Sequence, residues 1–126
     1  MIIDNILAAG AAVFEFHNLA LMLIGVLFGI VAGAIPGFTV TMAVVLTLPF
    51  TFGMPPVSGL STMLGVYVGG LSGGLLSGML MGIPGTPASV ATTFDGFPAV
   101  RNGKAGLALG LGVWSSFFGG LIGACV

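Results

Sequence analysis

From Phe16 to Phe94 the chain carries no Asp, Glu, Lys or Arg. Such a run holds several membrane crossings at about 20 residues each. A soluble domain has about a quarter of its residues charged. Here 4% are charged and 57% hydrophobic, so a water-facing surface cannot be assembled. The whole inventory is Asp4, Glu15, Asp95, Arg101 and Lys104. The expected fold class is an all-α integral membrane protein lodged in a lipid bilayer, because a backbone crossing hydrocarbon in long apolar runs must satisfy its hydrogen bonds internally.

The same composition excludes several functions. Two basic residues make no phosphate-tracking patch, so nucleic acid is not a partner. A single cysteine, Cys125, and a single histidine, His17, supply no disulfide framework, zinc site or Cys/His pair within the chain. No catalytic set is legible, and the reading is not an enzyme, with no cofactor beyond a coupling ion. The first residues are not a signal peptide, since Asp4 and Glu15 stand where a cationic region belongs.

Residues 1–18 read as an N-terminal interfacial segment, and Asn18 suits the cap of a helix over 19–35. Pro36-Gly37 ends that helix, because proline bars the helical region to the residue before it. The apolar piece 39–52 is about 21 Å long if helical, short of the roughly 30 Å hydrocarbon core. Gly53 to Pro56 stop it, and a helix over 57–82 follows, about 39 Å long and able to cross with tilt. A broken segment over 83–94, a charged loop over 95–104 and a helix over 105–126 complete the membrane portion, 19–126. The expected total is about three full spans plus short broken or re-entrant pieces. An ending on Gly-Ala-Cys-Val, with no polar flank, reads as a fragment of a larger multi-pass transporter.

Glycine recurs at helical spacing. Gly25, Gly29, Gly33 and Gly37 stand four apart, as do Gly65, Gly69 and Gly73, with Ser61 and Ser77 in phase. Gly70, Gly74, Gly78 and Gly82 form an adjacent ridge. In the last helix Gly112, Ser116, Gly120 and Ala124 repeat the spacing. Residues four apart share a face, and small residues there let helix backbones approach closely.

The two interruptions carry the functional reading. Ala34-Ile35-Pro36-Gly37-Phe38-Thr39 and Gly82-Ile83-Pro84-Gly85-Thr86-Pro87 each follow a glycine-ridged helix and precede an apolar piece too short to cross. Paired Gly/Pro breaks in hydrophobic segments point to a transporter binding site, where half-helix N–H groups meet an anion and freed carbonyls meet a cation. The candidate substrate-binding residues are Gly37, Thr39, Gly85, Thr86, Pro87, Ala88 and Ser89. Thr92, Thr93 and Asp95 are candidates for ion coupling. The hydroxyls also fit a role in capping the short helix, and Asp95-Gly96 is equally an ordinary turn signal. No metal site is expected.

GVLFGIVAGAIPGF (residues 25–38), LPFTFGMPP (48–56) and GIPGTPASVATTFDGFPAVRNGKAGLALG (82–110) together resemble the N-terminal part of the large membrane subunit, TctA, of the tripartite tricarboxylate transporter family. The resemblance runs from about Leu19 to the end, and its PGTPAS and DGFP elements are its most specific parts. It implies a permease of the bacterial inner membrane, importing small carboxylates or tricarboxylates by coupling to Na⁺ or H⁺. It also implies a periplasmic substrate-binding protein and a small membrane subunit as partners. Pro84 to Ser89 match the family's characteristic segment, Asp95, Gly96 and Pro98 its following loop, and Pro36-Gly37 its first break. Phe38-Thr39-Val40 and Gly82 depart from the family's pattern beside the expected site. A second class stays open at this stage: a non-transporting helical scaffold or small oligomeric channel subunit. Arg101 and Lys104, the only basic side chains, place their loop in the cytoplasm by the positive-inside rule.

Overall fold

A computed structural model describes residues 1–126, the side chain of Ala88 excepted. The elements are α1 (Ile2–Val13), α2 (Phe16–Ala34), α3 (Val40–Thr51), α4 (Pro56–Met81), a single 3-10 turn (Pro87–Ser89), α5 (Val90–Arg101) and α6 (Ala105–Cys125). Of these, α2, α4 and α6 are long and apolar enough to cross a membrane. α3 and α5, at 12 residues each, reach about 18 Å.

α2 and α4 run side by side in the same direction, held in register by reciprocal glycines. A Cβ on Gly25 would lie 2.5 Å from the Thr62 carbonyl oxygen. Gly29 and Gly33 meet the carbonyls of Val66 and Gly70 in the same way. From the other side Gly65, Gly69 and Gly73 face the carbonyls of Met22, Val26 and Ile30. Both sets of numbers rise together, which makes the pair parallel. Each ridge therefore fills the partner's groove, at a spacing that only backbone-to-backbone contact allows, and close Cα–H···O contacts add to dispersion there.

A parallel neighbour needs a return segment, and α3 supplies it. Val40 packs on Gly70 while Thr51 packs on Gly59 and reaches the Met63 sulfur, so α3 runs antiparallel to α4. Ala32, Ala43 and Val66 form the small core where these three helices meet. At the other end of α4, α5 lies parallel to it, with Ser89 and Thr93 against Gly78 and Phe97 against Gly82. Gly103, at φ +83°, turns the chain into α6, which packs antiparallel on α4 through Gly112 against Leu75 and Met79.

Four expectations need correction. Residues 1–18 hold a helix of their own, and Asn18 lies within α2 rather than at its cap. Asn18 is 4% exposed; its amide donates to the Ala12 carbonyl and its Oδ1 accepts from Ser58 Oγ. A buried amide needs partners, and these bind α1, α2 and α4 together. The charged loop expected over 95–104 is mostly helix, because α5 continues to Arg101. Asp95-Gly96 makes no turn. Gly96 is buried, and a Cβ there would fall 2.5 Å from Met79 Cγ. That glycine serves close approach of α5 to α4, and packing overrides the local turn preference. The broken segment expected over 83–94 is correspondingly shorter, since regular helix resumes at Val90.

Candidate functional site

α4 ends on Gly82, whose left-handed backbone (φ +70°) lets its N–H bond the Gly78 carbonyl at 3.1 Å. This is the usual use of glycine just past a helix. The chain then reverses. Thr86 lies back against Gly74, where a Cβ would be 2.7 Å from Thr86 Cγ2, about two turns and 12 Å before the helix end. Thr86 is extended (φ −133°, ψ 155°), as the residue before Pro87 must be. The second break is thus a re-entrant hook laid along the glycine ridge of α4.

Gly85 is the deepest point of the hook. A Cβ there would lie 2.7 Å from Ser77 Oγ and 3.0 Å from Gly74 Cα, and would run into the Gly33 carbonyl oxygen. Gly33 belongs to the last turn of α2, whose carbonyls carry the negative end of the helix dipole. The first break begins immediately beyond it, with Ile35 extended and Gly37 at φ +89°. Val40, which opens α3, sits on Gly70, one turn from Gly74. The second break, far along the chain from α2, therefore meets the end of α2 just before the first break, beside two turns of α4.

The hydroxyls close the hook on itself. Thr86 N–H donates to Ser89 Oγ at 3.2 Å, and Ser89 O–H donates to the Thr86 carbonyl at 2.8 Å. Thr86 O–H donates to Ser89 Oγ at 3.3 Å. Thr92 and Thr93 both donate to the Ser89 carbonyl, at 2.7 and 3.0 Å. Ser77 donates to the Gly74 carbonyl at 2.9 Å. A carboxylate would meet one of these O–H groups only after it turned outward, giving up an internal bond worth about 0.5–1.5 kcal/mol net. Exchange for a charge-assisted bond offsets that cost.

The predicted residues are not all brought together. Gly85, Thr86 and Ser89 are buried side by side, while Pro87 faces outward. The side chain of Ala88 lies outside the described residues. Gly37 and Thr39 are exposed, and Thr39 Oγ1 caps α3 by accepting the Met42 N–H at 3.3 Å. Thr93 turns toward α4, where a Cβ on Gly78 would be 2.8 Å from its Oγ1. Thr92 and Asp95 instead line a cleft of about 630 Å³ between α4, α5 and α6. Gly33, Gly74, Ser77 and Gly78 frame the hook but read from sequence only as packing positions. Their signal was the four-residue spacing, which shows a shared face and is silent on what that face touches. Among the described residues no three of His, Cys, Asp and Glu are grouped to hold a metal.

Comparison with known proteins adds to this geometry. The family model described as Tripartite tricarboxylate transporter TctA family matches residues 19–126. The chain is 36% identical over 105 residues to an uncharacterized 52.8 kDa protein in the TAR-I ttuC' 3' region of Agrobacterium vitis, an alignment covering 83% of this chain and 21% of that one. It thus spans about a fifth of that relative's length. No solved structure matches.

Proposed function

The chain belongs to the tripartite tricarboxylate transporter TctA family, and from that premise we propose that it forms part of a membrane permease importing small carboxylates or tricarboxylates, coupled to Na⁺ or H⁺. In this reading the permease sits in a bacterial inner membrane, receives substrate from a periplasmic binding protein and works with a small membrane subunit. The observation that carries the reading is the meeting of the second break with the end of α2, where the first break begins: Gly85 rests on the Gly33 carbonyl, beside Thr86 and Ser89 at the start of the helical segment that leads into α5. The helix-end carbonyls of α2 then stand beside the start of the helical segment that leads into α5, the kind of juxtaposition in which neutral dipoles hold an anion and a cation together.

The hook binds the substrate carboxylate, with Gly85 permitting close backbone approach and the Thr86 and Ser89 hydroxyls re-pairing onto it. Citrate is the probe. In the intact permease, Thr86→Val or Ser89→Ala should raise the citrate dissociation constant by roughly three- to hundredfold, the loss of one hydrogen bond to a charged group. The measurement is calorimetry on purified protein whose thermal unfolding matches the wild type. Unchanged citrate affinity in both variants removes the hook from the substrate site.

A further inference from the structure

We propose that α1 lies flat in the outer-leaflet interface of the bilayer, with its apolar face sunk among lipid acyl chains and its polar face in water. At 12 residues α1 is about 18 Å long, too short to cross the roughly 30 Å hydrocarbon core. At about 100° per residue, Ile2, Ile3, Ile6, Leu7 and Val13, with Phe14 just beyond, fall within one arc of about 140°. Asp4, Asn5, Ala8, Ala11 and Ala12 occupy the opposite side. Among the described residues nothing covers the outer part of the apolar arc: Ile2, Ile3, Ile6 and Leu7 are 64–75% exposed. Only the C-terminal end of α1 touches the bundle, where Gly10, Ala12 and Val13 are half-buried.

The place of α1 in the fold selects lipid as the occupant. The spans α2 and α4 begin side by side, at Phe16 and Pro56, so this end of the pair stands at a membrane boundary. Asn18 ties α1 to that level, donating to the Ala12 carbonyl and accepting from Ser58 Oγ. Glu15, extended at φ −58° and ψ 140°, breaks the helix between α1 and α2, so the two do not form one straight rod. Standing out in water, α1 would hydrate four large aliphatic side chains. Folded down into the bilayer, it would carry the exposed Asp4 carboxylate into hydrocarbon. Lying in the plane avoids both costs. Nor does the exposed arc suit another helix, because Ile2, Ile3, Ile6 and Leu7 offer none of the small-residue ridge by which α2 and α4 meet.

Direction and charge then fix the leaflet and the kind of lipid. α4 and α5 run the same way, toward the Arg101–Lys104 corner that the positive-inside rule assigns to the cytoplasm. The starts of α2 and α4, and α1 with them, face the other side. Interfacial helices commonly gain from Lys and Arg attracted to anionic headgroups. No Lys or Arg precedes Arg101, whereas Asp4 and Glu15 both stand in or beside α1. Attachment therefore comes from apolar burial alone, and the surface that fits is zwitterionic. This inference does not depend on what the permease carries.

The test uses the intact permease, its native cysteines replaced, in phosphatidylethanolamine–phosphatidylcholine nanodiscs. Single cysteines replace Ile3, Ile6 and Leu7 on the apolar arc and Asp4, Ala8 and Ala11 on the polar one, all exposed positions where a spin label displaces no packed neighbour. Collision with dissolved oxygen reports lipid, and collision with a water-soluble nickel chelate reports water. The oxygen-to-nickel ratio should be severalfold higher at Ile3, Ile6 and Leu7, at a depth of about 5–10 Å below the headgroups. Ile6→Asp should lift the helix and lower that ratio severalfold at Ile3. Nickel access at all six positions puts α1 in water, and exclusion of both reagents from Ile3, Ile6 and Leu7 puts protein on the arc; either overturns the proposal. Replacing a third of the lipid by phosphatidylglycerol should leave the depth unchanged or shallower, and deeper insertion overturns the zwitterionic assignment. In intact cells Ala8→Cys should react with a membrane-impermeant maleimide, and reaction only after permeabilisation overturns the outer-leaflet placement. None of these readouts involves transport, so failure of the carboxylate reading leaves them unchanged.

Discussion

Adding one methyl group at Gly85 should unseat the hook between α4 and α5. The new Cβ would stand 2.7 Å from Ser77 Oγ, 3.0 Å from Gly74 Cα and inside contact of the Gly33 carbonyl oxygen. Ordinary carbon contacts lie at about 3.5–4.0 Å, so room of roughly 0.5–1 Å is missing on several sides at once. Two of the three neighbours are backbone, and they belong to α2 and α4, which are locked together by their glycines. Only Ser77 can yield, by rotating away and giving up its bond to the Gly74 carbonyl. Overpacking costs typically about 1–3 kcal/mol and the lost bond about 0.5–1.5 kcal/mol, together on the order of 2–4 kcal/mol. The seated hook should then lose population by roughly thirty- to several-hundredfold, and citrate affinity with it. The assay is calorimetric citrate binding on purified intact Gly85→Ala, beside thermal unfolding. The control is Gly110→Ala, whose Cβ would meet nothing within 4 Å. Wild-type citrate affinity together with an unchanged unfolding temperature in Gly85→Ala would refute the reasoning.

Three further outcomes follow. Gly29→Ala places a Cβ 2.8 Å from Gly70 N and against the Val66 carbonyl, so α2 and α4 must separate and stability should fall by about 1–3 kcal/mol. Gly110→Ala should be neutral or up to about 1 kcal/mol more stable, through helix propensity; equal denaturation midpoints for the two variants would place the α2–α4 contact elsewhere. A cysteine replacing Asn102, between Arg101 and Lys104, should resist a membrane-impermeant maleimide in intact cells and react after permeabilisation. Equal labelling before and after would invert the topology.

Much of this protein was legible before any coordinates. The three spans, the Pro36-Gly37 and Pro84-Gly85 breaks and the glycine ridges all follow from properties local to the chain: uncharged length, the proline restriction on its predecessor, and a four-residue repeat on a helix. The family's motifs were equally visible. What local properties cannot encode is which face meets which. The sequence shows that Gly29 and Gly69 lie on ridges, yet only the fold reveals them interleaved in parallel register. Asp95-Gly96 carries a sound turn signal that loses to the close approach of α5 to Met79, a contact with a residue on another helix. Asn18 reads as a cap and instead joins three helices, because its partners Ala12 and Ser58 reach it through tertiary packing. Of the paired breaks, Gly85, Thr86 and Ser89 are buried together while Gly37 and Thr39 stay on the outer face. Propensity and spacing act within a turn or two of helix, and so they determined the elements and their interruptions. The meeting of Gly33 with Gly85 joins atoms far apart along the chain, and it was decided by the packing in which Gly25, Gly29 and Gly33 on α2 and Gly65, Gly69 and Gly73 on α4 touch each other's helix backbone.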